Sequence, residues 1–266
     1  MNGQEKPHLS ITQINMLNAC GQQYYFRYLL GKKIPPGISL VVGKTVDDSV
    51  NKNLQSKIDT GELMPVEQVL DIAHDQFEAN WHKDGILFTP EEAENPKKAK
   101  GEATDKTIRL ATLHAKEMAP AIQPKEVQRR MLVHLEGYPV DLLGFIDIQE
   151  EDATRDTKTA SKSPAANMAD VSDQLTFYAM ANYAVDNRIP SQLVLDYLID
   201  NKVPKAVSLV TTRTEDDFEP MLRRIENAVM AIEKGVFLPC RQDDWHCSRR
   251  FCGYFNICPY SRKTIK

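Results

Sequence analysis

The sequence predicts an α/β protein, a mixed sheet flanked by helices. Two observations carry the prediction. The runs VQRRMLVHL and VDLLGFIDI, from Val127 and Val140, are rich in strand-forming residues and meet at a Gly-Tyr-Pro turn, so they predict an antiparallel pair. Beyond them the pattern alternates: a third strand over 153–159, a helix over 168–187, the strands LVLDYLI and AVSLVTT, and a helix from Phe218 to Glu233. Strands, helix, strands, helix is the order of a sheet covered by helices.

The remaining elements follow from local signals. Residues 9–31 predict one helix, capped by Ser10 or Thr12, with Ile11, Ile14 and Leu17 at helical spacing and Gly31 at its end. After the Pro-Pro-Gly turn at 35–37, the segment from Gly43 to about Lys57 again reads as helix. An amphipathic helix follows from Pro65 to about Lys83. The polar stretch 84–106, with two prolines and clustered charges, predicts loops, and a helix from Thr107 to Met118 closes this helical insertion. In the last helix Phe218, Leu222, Ile225, Val229 and Ile232 share one face, and Gly235 stops it.

Length and composition bound the answer. At 266 residues the chain suits one domain with appendages, and 42% hydrophobic with 26% charged residues is the balance of a soluble globular protein. No signal-like stretch opens the sequence and no run approaches the ~18 apolar residues of a membrane span, so cytoplasmic residence and no membrane partner are expected. A net charge of −4 argues against indiscriminate coating of nucleic acid, which rests on Lys and Arg. A local basic track remains open, since Lys234 to Lys266 holds seven basic residues against two acids; a solvated tail explains that excess equally well.

The chemistry centres on Gly144-Phe-Ile-Asp147 and, after eight intervening residues, Asp156-Thr157-Lys158. Side chains alternate along a strand, so Asp156 and Lys158 project to one side and Thr157 to the other. If Asp147 ends the neighbouring strand, its carboxylate converges with Asp156 to hold a hard divalent cation, which prefers oxygen ligands. Phosphodiester hydrolysis needs a cation that polarises the phosphoryl oxygen and a positive charge for the transition state. Taken alone the triplet is weak, because exposed strands often carry such charges. Gln174 and Tyr178, four apart on the next helix, share one of its faces.

The cysteines form the second signal. Cys247, Cys252 and Cys258 cluster near one end and Cys20 stands near the other. In a cytosolic chain this pattern favours metal ligation over disulfides, and a thiolate set can hold an iron-sulfur cluster or zinc. Cys240 is left over and reads as an ordinary buried or free cysteine.

Together these motifs resemble the PD-(D/E)xK nuclease superfamily in its RecB-like branch. The DQLTFYAMA segment resembles that branch's Q-x-x-x-Y motif, and one cysteine before the core with three after it resembles the iron-sulfur clasp of AddB-type and CRISPR-associated members. NACGQQYYFRYL is similar to the family's opening helix. The resemblance implies a restriction-endonuclease-like core at 40–50 and 126–235, a helical insertion at 51–120, and a clasp of residues 9–31 and 240–260 around a four-cysteine 4Fe-4S cluster on Cys20, Cys247, Cys252 and Cys258. It implies Mg2+ or Mn2+ bound by Asp147 and Asp156, with Lys158 at the water or the phosphate and with Gln174 and Tyr178 on the DNA strand. The expected activity is that of an exonuclease on single-stranded DNA or DNA ends. Where the family carries G-x-x-x-H, this chain has Gly43 to Asp47, so Asp47 is expected as a metal ligand in the histidine's place. The C-x4-C-x5-C spacing departs from the tighter first gap of CRISPR-associated members and points, on resemblance alone, to a phage or prophage branch.

Two other classes stay open. A non-catalytic DNA-end-binding accessory protein would keep the fold and the cluster with a degenerate site at Asp47. A zinc-stapled interaction domain would carry the D-x-K as a surface accident.

Overall fold

The computed structural model describes residues 6–241 and 243–261. Arg262, Lys263 and Lys266 of the basic tract lie outside the described residues. Within it Arg241 pairs with Asp243 at 2.8 Å, and Arg249 and Arg250 lie over Phe255 and Phe251.

Strand β1 (His8–Leu9) leads into helix α1 (Ile11–Ala19), where Ser10 and Gln13 cap each other reciprocally. The single helix expected over 9–31 is interrupted. Cys20 is extended, the chain restarts as α2 (Gly21–Tyr24), and a π-helical turn spans Tyr25–Leu29. The C-terminal segment packs against this break: a Cβ on Gly21 would lie 2.7 Å from the Leu238 backbone nitrogen, so only glycine allows the approach.

The helical insertion differs from expectation between residues 84 and 106. Helix α3 (Ile38–Thr60) and helix α4 (Val66–Lys83) are followed by α5 (Pro90–Glu94) and α6 (Pro96–Leu113), which ends in a π-helical turn at His114–Met118. The two prolines that suggested loops occupy first-turn positions, where the missing N–H costs nothing. Thr89 caps the first of these helices in a box with Glu92, and Asn95 caps the second through the Lys98 N–H. The helix expected to begin at Thr107 therefore begins at Pro96.

Among the described residues the sheet has six strands: β1, β2 (Glu126–Val133), β3 (Asp141–Gln149), β4 (Ala153–Ala160), β5 (Gln192–Ile199) and β6 (Lys205–Thr211). Strands β2 and β3 are antiparallel, as the Gly-Tyr-Pro turn predicted. Strand β4 is antiparallel to β3 and parallel to β5, β6 returns antiparallel, and β1 lies parallel to the start of β3. Helices α7 (Asp173–Asp186) and α8 (Phe218–Glu233) complete the chain, with Asn187 and Gly235 in left-handed conformation after them. The observed fold is the mixed α/β sheet flanked by helices, consistent with a restriction-endonuclease-like architecture.

Two hydrophobic cores cover the sheet. One joins α1, α7 and α8 through Ile14, Phe177, Leu175 and Ile225 to Leu142, Ile146, Leu193 and Leu195. The other joins α3, α4 and α6 through Val46, Leu54, Phe77 and Leu110 to Ile148 and Leu198. Leu193 and Leu195 face the first core and Leu198 the second, as alternation along a strand requires. The polarity of β4, unusual for a central strand, is absorbed on both sides. Arg155 pairs with Glu150 and the fully buried Asp196, while Thr154 donates to Gln149 Oε1 at 2.9 Å.

On β3, Gly144 lies under Phe177 of α7, and any Cβ there would run into the ring. Gly144→Ala is expected to destabilise the protein by about 1–3 kcal/mol through overpacking. Chemical denaturation of the two proteins measures it, and equal midpoints would show that the helix accommodates a methyl group.

Candidate active site

Strands β3 and β4 pair at Gln149↔Thr154 and Ile148↔Arg155 and then separate. The next positions in that register are Asp147 and Asp156, so the two carboxylates face each other where the sheet forks. The Asp147 side chain takes over part of the lost ladder: its Oδ2 accepts the Thr157 N–H at 3.2 Å. Strand β4 stays in register with β5 along its whole length, which holds the fork rigid on its other side.

Asp156 and Lys158 share a face, as alternation predicted, and Lys158 Nζ lies 2.6 Å from Asp156 Oδ2. Helix α7 adds the other two expected residues. Lys158 donates to Gln174 Oε1 at 2.9 Å, Gln174 Nε2 lies 2.6 Å from the Tyr178 hydroxyl, and that hydroxyl donates to the Phe145 carbonyl at 2.8 Å. Tyr178 is 2% exposed, and its hydroxyl accepts from Gln174, which in turn accepts from Lys158. Gln174 is half-buried and remains accessible.

Helix α3 brings Asp47 to the same place. Gln128 Nε2 donates to Asp47 Oδ2 at 3.2 Å and to Asp147 Oδ1 at 3.3 Å, bridging the two acids. Sequence reasoning missed Gln128. It stands opposite Asp147 in the β2–β3 register, and its φ of 50° is left-handed, a conformation seldom adopted by residues other than glycine and often found at functional sites. A polar side chain directly across from Asp147 was the available signal, and it required knowing the register.

The electrostatics are those of a crowded, partly buried site. Burial, with the charges of Asp156 and Asp47, pushes Asp147 up to about 8. Burial and then Asp48 push Asp47 up to about 6, partly offset by Asn51 and Lys44. Burial also raises Asp156, against the pull of Lys158. Burial alone would lower Lys158, but Asp156 outweighs it and keeps the ammonium charged. Asp47 Oδ1 and Asp156 Oδ2 are buried, and the contact that Asp156 Oδ2 makes is the ion pair with Lys158. Buried oxygens short of partners suit a hard cation. The arrangement is not preassembled: among the described residues no three His, Cys, Asp or Glu side chains are gathered as a metal-binding group, and the Gln128 amide occupies the space between two of the acids.

Helix α2 and the segment from Pro239 to Ser261 meet in a second constellation. Cys20, Cys247, Cys252 and Cys258 line one cavity between α2 and the C-terminal segment, and Cys240, expected to stand apart, lines it too. The Cys240 N–H donates to Cys20 Sγ at 3.4 Å. Burial, with Cys20 and Cys247 beside it, pushes the Cys240 thiol up to about 12. None of the five forms a disulfide. Around them the Tyr254 hydroxyl donates to the Lys32 carbonyl at 2.7 Å, and the Phe26 and Tyr254 rings stack at 5.3 Å. No described helix is long and apolar enough to cross a membrane.

Comparison with known proteins follows the same lines. The family model of the PD-(D/E)XK nuclease superfamily matches residues 8–259. The chain is similar to the crystal structure of a "Putative exonuclease" from Eubacterium rectale, with 14% identity, a TM-score of 0.55, and coverage of 97% of this chain and 91% of that one. At that identity the likeness shows the fold alone. The crystal structure of SSO0001 aligns over 94% of this chain and 98% of its own at 13% identity, but with a TM-score of 0.32 it carries no argument. No curated protein matches the chain.

The raised acids give a test without substrate. A carboxyl held at about 8 in the fold, against about 3.9 in the unfolded chain, keeps its proton between those values only when folded. The folded state then binds the extra proton, so stability is present at the acid end and is lost as pH rises towards 8. Metal-free protein is expected to melt at lower temperature at pH 8.5 than at pH 5.5, and Asp147→Asn to flatten that slope. Parallel pH profiles for the two proteins would show that Asp147 is not protonated in the fold.

Proposed function

Because the chain belongs to the PD-(D/E)XK nuclease superfamily, we propose that it is a metal-dependent DNA exonuclease acting on single strands or free ends, with its centre at the β3–β4 fork. The observation that carries this reading is the convergence of Asp47, Asp147, Asp156 and Lys158 at one break in the sheet. A free end suits the similarity in fold to a protein described as an exonuclease.

Asp147 and Asp156, with Asp47 in place of the family's histidine, would hold the Mg2+ or Mn2+ that the superfamily typically uses. When bound, the cation polarises the phosphoryl oxygen and lowers the pKa of a coordinated water. Lys158, kept cationic by Asp156, faces the scissile phosphate and stabilises the charge that develops there, rather than acting as a base. Gln174 fixes the ammonium at 2.9 Å, and Tyr178 fixes Gln174. Gln128, which bridges Asp47 and Asp147, would hold these two acids together in the absence of a cation.

One observation favours a second reading. With no ready-made metal-binding group among the described residues, the chain could be a DNA-end-binding accessory protein with a degenerate site. Incubating end-labelled single- and double-stranded DNA with Mg2+ or Mn2+ decides between them. Wild type is expected to digest DNA, and Asp156→Ala/Lys158→Ala to lose at least about 100-fold in rate. Binding without cleavage under either metal would leave the accessory reading in place.

We also propose that Cys20, Cys247, Cys252 and Cys258 hold an iron-sulfur cluster of structural role, by the shared cavity of these thiols and the resemblance of their order. Anaerobically purified protein is expected to contain iron and sulfide and to absorb in the visible, and Cys20→Ala to bleach and destabilise it. Zinc without iron or sulfide would establish a zinc staple instead, and an unchanged spectrum would remove Cys20 from the ligand set.

A further inference from the structure

A cleft of about 400 Å³ opens beside the fork, and its walls come from four separate segments. The π-helical turn after α2 supplies Arg27, the linker to α3 supplies Lys33, the first turns of α3 supply Lys44, and the end of α4 supplies Lys83. All four are exposed. Asp84 is the one acid in the lining. Lys44 pairs with Asp48 at 2.9 Å, and Arg27 lies over the Tyr28 ring. Lys33 and Lys83 have no carboxylate partner among the described residues, although the chain as a whole carries a net charge of −4 and could have supplied one.

Like charges gathered from four segments repel one another, and the repulsion is relieved when a polyanion enters. The cleft borders the part of α3 that carries Asp47. Lys44 is one helical turn before Asp47 and Asp48 and its charge acts on Asp47, while Asn80, in the opposite wall, donates to Asp48 at 3.0 Å. Exposed Leu40 and the Pro35-Pro36 edge give the lining an apolar stripe between the cations, the mixture on which a single strand lays backbone and bases.

We propose that this cleft is the binding track for the phosphate backbone of single-stranded DNA, leading it past Lys33 and Lys83 to Lys44 and the β3–β4 fork. The inference rests on the nuclease reading and adds to it the path of the strand. The track spans the linker and the end of α4, so the strand enters along the α3 side of the sheet and not along α7.

The test is the salt dependence of binding, read by fluorescence anisotropy with labelled single-stranded DNA, full-length anaerobically purified protein and EDTA in place of metal. For Lys33→Gln/Lys83→Gln, the slope of log K against log salt is expected to shrink by about 1.4, two contacts at about 0.7 each for a single strand. An equal change of charge elsewhere, Lys202→Gln/Lys205→Gln in the β5–β6 hairpin, serves as the control and is expected to keep the wild-type slope. If wild type binds and the cleft variant keeps its slope, the track is wrong while the nuclease reading stands. If wild type neither binds nor cuts DNA, the nuclease reading falls and the track falls with it.

Discussion

The constraint on which the site depends is the separation of β3 from β4 after only two paired positions. A buried backbone N–H must find an acceptor. Here the Thr157 N–H is met by the Asp147 carboxylate instead of a β3 carbonyl. One side chain therefore does two things: it closes the sheet where the ladder stops, and it presents its remaining oxygen to the space shared with Asp47 and Asp156. Because β4 is bonded to β5 at all eight positions, the fork cannot close by sliding. Whatever binds Asp147 is tied through Thr157 to the strand that carries Asp156 and Lys158.

Gathering three acids against one lysine in a partly buried site is unfavourable, and the surrounding structure shows how the cost is limited. Protons stay on Asp147 and Asp47 far above the usual carboxylate range. Gln128 satisfies one oxygen of each from a left-handed backbone that few side chains tolerate, held in place because its neighbours Val127 and Arg129 remain in the β2–β3 register. Arg129 anchors that strand further, with a two-pronged contact to Asp186 of α7 at 2.8 Å on each side. Local strain at one residue is thus offset by pairing on both sides of it.

Much of this was legible in the sequence because it depends on short-range periodicity. The period of two put Asp156 and Lys158 on one face, and the spacing of four put Gln174 over Tyr178. What escaped depends on tertiary contact. Gln128 becomes a site residue only through register, Cys240 joins the other thiols only because the C-terminal segment folds back on α2, and the burial of Tyr178 follows from the Gly144–Phe177 contact. The prolines at 90 and 96 are a different case. Thr89-Pro-Glu-Glu92 is a capping box with proline in the first turn, so the helix signal was present in the residues and was outweighed by their polarity.

The clasp and the cleft are two uses of one segment. Between Cys20 and Lys33 the chain contributes a thiol to the shared cavity, aromatic rings to Phe237 and Tyr254, and Arg27 and Lys33 to the cationic wall. Aromatic stacking and the Tyr254–Lys32 hydrogen bond hold this segment against the C-terminal residues. A cross-link between Cys20 and the C-terminal cysteines would add a restriction on the unfolded chain worth a few kcal/mol, about what a long-loop disulfide provides. That addition acts on the whole fold, whereas the stacking acts locally on the turn that carries Arg27. The position of the cleft wall is therefore set by packing, and a cross-link at Cys20 would govern how often that packing is lost.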